Sequence, residues 1–82
     1  MTELLEGVVE VRLGPAGELQ SVRIPAGWRA VERVVNRWLV ETDWWRGGVM
    51  RDYRRVLTRD GQCLELYRDL GDGSWHLSRR YD

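Results

Sequence analysis

His76 is the only histidine of this 82-residue chain; Ser78 lies on the same segment and Glu65 on the neighbouring one. Ser, His and Glu are the residue types of a nucleophile–base relay. On one strand, however, Ser78 and His76 repeat at about 7 Å, too far for the direct hydrogen bond that a relay needs. The chain also lacks a Gly-x-Ser-x-Gly elbow. Cys63, the only cysteine, has His76, Glu65 and Asp69 as potential co-ligands. A zinc site wants three or four convergent ligands, typically at C-x-x-C or H-x-x-x-H spacing, and neither spacing occurs. Gly71-Asp72-Gly73-Ser74 looks like part of a phosphate-cradling loop, but the chain has no lysine and no helical pattern follows. A hairpin turn accounts for it. These residues predict no enzyme, no metal site and no cofactor.

Binding chemistry has more to work with. All 13 basic residues are arginine, balanced by 13 acidic ones. A neutral chain is not steered to nucleic acid or membrane by net charge, so such a role needs a local patch. Arginines cluster in the last third among Tyr and Trp, the combination used by small barrels that hold single strands. Arg54, Tyr67 and Arg80 are the candidate contacts for that activity. Neighbouring arginines on a strand diverge, and acids are interspersed, so salt-bridged strands are the favoured explanation of the cluster. Five Trp and three Tyr residues also strain what so short a chain can bury. Exposed Trp and Arg are the residue types that anchor protein interfaces. Trp44, Trp45 and Arg46 are the candidate partner-binding residues, because adjacent rings on a strand face opposite sides.

The elements that must position these groups read as strands. Turn signals at Gly14–Gly17, Pro25–Gly27, Gly47-Gly48, Asp60-Gly61 and Gly71–Gly73 recur at the spacing of an all-β sandwich or barrel. Leu5, Gly7, Val9, Val11 and Leu13 alternate with Glu6, Val8, Glu10 and Arg12 along a first strand over 4–13. A second strand covers 18–24, with Val22 and Ile24 facing in. Residues 28–41 fit both templates. Val31, Val34, Val35, Trp38 and Leu39 have helical spacing, and a short helix within 29–40 is the alternative. The Val- and Trp-rich composition and the absence of an N-cap favour a strand.

The segment 53–82 predicts three strands. Asp60-Gly61 signals a two-residue type I′ turn, which pairs Arg59 with Gln62 and Arg54 with Tyr67. One face then collects Tyr53, Leu57, Leu64, Leu66, Leu70, Trp75, Leu77 and Tyr81 as core. The other collects Arg54, Val56, Cys63, Glu65, Tyr67, Asp69, His76, Ser78 and Arg80 toward solvent. Arg68 is expected beside Trp75.

Trp44-Trp45-Arg46, RDYRRVLTRDG (51–61), LELYRD (64–69) and G-x-WHLSRRYD (73–82) together resemble a small bacterial domain family of uncharacterised function. They also resemble the C-terminal tail of ImuB-type proteins, the inactive relatives of Y-family DNA polymerases. The likeness spans about 35–82 and implies a β-rich accessory domain in a DNA repair or translesion-synthesis setting. It brings no catalytic residues, and the polymerase and clamp-binding parts of ImuB are not in this chain.

The resulting expectation is a single all-β domain over 1–82. It is a five- or six-stranded antiparallel meander closing into a small SH3-like or half-open barrel. Its expected role is that of a non-enzymatic protein-interaction module, with a partner in the repair or replication machinery. Single-stranded nucleic-acid binding is the alternative, and self-association through an aromatic patch or edge strand a third reading. The N-terminus lacks a signal-peptide pattern and no apolar run approaches about 18 residues, which points to a cytoplasmic protein with no membrane segment.

Overall fold

A computed structural model describes the backbone of residues 2–42 and 47–81 and the side chains of 7–42 and 47–81. It is all-β, and the described residues contain no helix. Seven strands follow in chain order: β1 (Thr2–Val9), β2 (Val11–Leu13), β3 (Leu19–Ile24), β4 (Gly27–Glu41), β5 (Met50–Thr58), β6 (Cys63–Asp69) and β7 (Trp75–Tyr81). They form one antiparallel sheet in the order β1-β7-β6-β5-β4-β3-β2, curled into a half-barrel.

The strand count exceeds the expected five or six because the first segment divides. The ladder breaks at Glu10, so that β1 pairs with β7 and β2 pairs with β3, on opposite edges of the sheet. The Glu10 carbonyl still accepts from the Arg23 amide of β3 at 2.9 Å. One continuous stretch of chain thus contributes to both edges.

Residues 28–41 are strand, not helix. Ile24 pairs with Gly27 across Pro25-Ala26, and β4 then runs 15 residues to the far end of the sheet. Its first residues pair with β3 and the remainder with β5, with register shifts between Val31 and Arg33 and between Val34 and Asn36. Such bulges bend a strand and raise its twist, which lets one strand serve both parts of a curled sheet.

The β5–β6 turn departs from the two-residue expectation. Thr58 N donates to Gln62 O at 2.8 Å and Gly61 N to Thr58 O at 3.1 Å, enclosing Arg59-Asp60-Gly61. Gly61 has φ +87°, and no described residue other than glycine has positive φ. This is the three-residue loop, a turn followed by a left-handed glycine, in place of type I′. The Thr58 hydroxyl stabilises it by donating to Asp60 Oδ1 and accepting from Gln62 N at 2.9 Å.

The extra loop residue shifts the register by one. Leu57 opposes Cys63, Val56 opposes Leu64, Arg54 opposes Leu66 and Tyr53 opposes Tyr67. A one-residue slip turns a strand over. Val56 and Thr58 therefore enter the core, while Tyr53 and Leu57, expected there, face outward. Beyond the bulge between Glu65 and Leu66, Tyr81 opposes Cys63. The end of β7 is turned over in the same way, and Tyr81 also leaves the core face. Leu70 begins the next turn and is exposed.

The core lies on the concave face and comprises Leu19, Val22, Ile24, Val56, Leu64, Leu66, Trp75 and Leu77, with Val9, Val11 and Val31 packed against it. Leu64, Leu66, Trp75 and Leu77 match the expectation from alternation. The β6–β7 loop preserves it, with Arg68 opposite Trp75.

Candidate functional site

The β4–β5 hairpin extends past the core, and the concave face opens there into a mouth. Continuing the pleat of β5 from Val56 places Arg54, Asp52 and Met50 on the same side. Arg37 opposes Arg54 on β4, Leu39 opposes Asp52, and Arg68 opposes Asp52 from β6. A groove of about 510 Å³ is lined by Arg37, Trp38, Leu39, Asp52, Arg54, Arg68 and Leu70. Arg37 and Arg54 also line an adjoining hollow of about 620 Å³ beside Glu18, Glu32 and Arg33.

Asp52 is the organising charge. Arg37 Nε donates to Oδ1 at 3.1 Å and Nη2 to Oδ2 at 2.8 Å, the two-pronged geometry that a guanidinium offers a carboxylate. Arg54 Nη2 donates to Oδ2 at 3.3 Å. Burial pushes the Asp52 carboxyl up, but the bonds from Arg37 and Arg54 and their charges outweigh it, and the net shift is downward. The Arg54 guanidinium lies 5.0 Å from the Trp75 ring centre, in the place expected for Arg68. Arg68 is exposed, and its side chain makes no hydrogen bond or ion pair among the described residues.

Around these charges the mouth is apolar. Leu39 is 54% exposed, Leu70 43% and Met50 36%. Leu70 N donates to Met50 O at 2.9 Å, tying the β6–β7 turn to the start of β5. Thr42 N donates to Val49 O, and Val49 N to Thr42 Oγ1, both at 2.9 Å, joining the end of β4 to the residue before β5. Trp44, Trp45 and Arg46 themselves lie outside the described residues.

The convex face carries a second arrangement, an aromatic row across four strands. Trp38 stacks on Tyr53 (centres 5.3 Å apart, planes 9°), Tyr53 meets Tyr67 (5.0 Å, 36°), and Tyr67 stacks on His76 (4.7 Å, 7°). Each contact joins residues opposed in the ladder. Arg51 lies over Tyr67 at 4.4 Å, and Arg55 over Trp38 at 5.6 Å and Tyr81 at 4.8 Å. Arg55 Nη2 donates to Tyr81 Oη at 3.2 Å, and that hydroxyl donates to Glu65 Oε1 at 2.9 Å. Base stacking needs free ring faces. In this row the faces are turned toward one another or covered by guanidinium groups.

Arg54, Tyr67 and Arg80 are therefore not brought together. Arg54 is on the concave side opposite Leu66, Tyr67 on the convex side opposite Tyr53, and Arg80 opposes Leu64 beyond the β7 bulge. His76 finds its hydroxyl partner in Ser74 rather than Ser78. Ser74 Oγ lies 2.6 Å from Asp72 Oδ1 and 2.8 Å from His76 Nε2. The hydroxyl proton goes to Asp72, so Nε2 is the donor toward Ser74. Ser74, by hydroxyl and by backbone amide, holds the Asp72 carboxyl below its ordinary range. The hydroxyl is thus engaged with a carboxylate inside a turn. Among the described residues, no three His, Cys, Asp or Glu side chains gather as metal ligands. No helix there is long and apolar enough to cross a membrane.

Sequence reasoning missed the Arg37–Asp52–Arg54 cluster. The signal was present as Arg51-Asp52-Tyr53-Arg54, since Asp52 and Arg54 share a strand face, but only the register identifies Arg37 as the third member.

The fold and site together define an all-β half-barrel with an arginine-lined, apolar-rimmed mouth. Comparisons with protein-family models, curated proteins and solved structures give no match to this chain.

Proposed function

We propose that this chain is a non-enzymatic protein-interaction module whose partner docks at the open mouth of the half-barrel. The observation that carries the reading is the gathering of exposed Leu39, Leu70 and Met50 at one end of the concave face. Exposed apolar side chains rimmed by polar groups are the mark of an interaction surface. Trp44, Trp45 and Arg46 fall in the sequence between β4 and β5, and Trp and Arg are the types that dominate binding energy. The likeness of 35–82 to ImuB-type tails supports a partner in the DNA repair or translesion-synthesis machinery.

Affinity capture with the tagged chain, compared with a Leu39→Arg/Leu70→Arg variant and a Trp44→Ala/Trp45→Ala variant, tests the reading. The expected result is a partner retained by the wild type and lost from both variants. A partner retained equally by all three sinks it.

A further inference from the structure

The mouth is also charged in a way that its apolar rim does not explain. Three guanidinium groups, those of Arg37, Arg54 and Arg68, line the groove on three adjacent strands, against the one carboxylate of Asp52. Three positive charges against one leave two in excess among the described lining residues. Asp52 carries a single negative charge, which Arg37 and Arg54 share through Oδ1 and Oδ2. Its effect is to fix them. Arg37 is held by two bonds, and Arg54 is held between Asp52 and the Trp75 ring, with its Nε buried and without a hydrogen-bond partner. Arg68 stands opposite, exposed and without an ion pair among the described residues. Leu39 and Leu70 line the same groove.

We infer that the mouth binds a protein segment in which an acidic side chain is next to a large aliphatic one. The carboxylate meets the guanidinium groups, and the aliphatic side chain lies against Leu39 and Leu70. The inference rests on the mouth being a protein-binding surface and names the chemistry of the partner. Arginine forks match a planar carboxylate, and prior fixation by Asp52 lowers the ordering cost of binding. A nucleic-acid backbone fits the groove less well. It offers nothing to the exposed leucines, and its repeated phosphates would run into Asp52 and into Glu18 and Glu32 of the adjoining hollow.

Selection of a phage-displayed random-peptide library on the full chain tests the inference. The expected result is enrichment of peptides that place Asp or Glu within a residue or two of Leu, Ile or Met. A fluorescein-labelled copy of the most enriched peptide is then titrated against the wild type and Arg68→Ala. The Arg68 side chain makes no hydrogen bond or ion pair among the described residues, so this variant is expected to keep the Asp52 cluster and the fold, which circular dichroism checks. Arg68→Ala should weaken binding by about tenfold, and changing the peptide acid to its amide should do the same with little further loss in combination. Enriched peptides without an acid, or an Arg68→Ala effect under about twofold, overturn the acidic partner while leaving the mouth as an interaction surface. Tighter binding of labelled oligothymidylate, lost in Arg68→Ala, also overturns it and transfers the groove to nucleic acid. Failure of every library peptide to bind overturns it too, and the capture experiment then decides the broader reading separately.

Discussion

Both faces of β5 carry arginine and use it differently. On the convex side Arg51, Tyr53 and Arg55 lie among rings: guanidinium groups cover Tyr67, Trp38 and Tyr81. On the concave side Asp52, Arg54, Val56 and Thr58 descend into the core, and Arg54 is held by one carboxylate and one indole. The convex groups contact one another through stacked rings and overlying guanidinium groups. The concave groups have lost most of their water and must satisfy each other. Burial, more than residue type, sets what each arginine contributes.

The contrast can be broken by substitution, beginning with the largest effect. Leu66→Ala, fully buried under the concave face, should cost about 3 kcal/mol in urea denaturation. A loss below about 1 kcal/mol would mean that the concave face is not the packed core. Asp52→Asn should cost about 2 kcal/mol at neutral pH by leaving Arg54 poorly paired where water is scarce. Its pH dependence sharpens the point. The folded Asp52 carboxyl is held below its ordinary value of 3.8. Its contribution is therefore full above that value and is lost as pH falls through the lower folded one. The gap between wild type and Asp52→Asn should close on acidification, and a gap that persists to about pH 2 would dissociate Asp52 from the effect.

On the convex face, Tyr53→Ala removes the middle of the aromatic row and should cost about 1–2 kcal/mol, read from the thermal midpoint. A cost equal to that of Leu66→Ala would erase the distinction between the faces. The smallest change is Arg23→Ala, which removes an exposed pair with Glu10 at 3.6 Å and should shift stability by less than about 0.5 kcal/mol.

The sequence made the β class and six core positions readable: Val22 and Ile24 in the second strand, and Leu64, Leu66, Trp75 and Leu77 because alternation in 64–77 survives any even loop between β6 and β7. It made Asp60-Gly61 readable as a turn but not its length. Two- and three-residue loops both place a positive-φ glycine there, and the choice depends on hydrogen bonds of the Thr58 side chain to Asp60 and Gln62. That one residue decided which face of β5 is buried and separated Arg54 from Tyr67. The bulge opposite Glu65 has no glycine or proline to announce it, so Tyr81 could not be assigned from pattern. The break at Glu10 was equally silent, since a polar residue there fits an unbroken alternation. The groove joins residues up to 33 positions apart, from Arg37 to Leu70. Local spacing carries no trace of such a set.

The division of the first segment between β1 and β2 has a consequence for the order of assembly. The β2–β3, β3–β4, β4–β5, β5–β6 and β6–β7 hairpins join neighbours in the chain and can form as synthesis proceeds. The β1–β7 pairing joins Thr2 to Tyr81. Among these seven strands β1 emerges before the other six and must wait for β7, and until then both keep unpaired edges open to other chains. The half-barrel closes in a single late step.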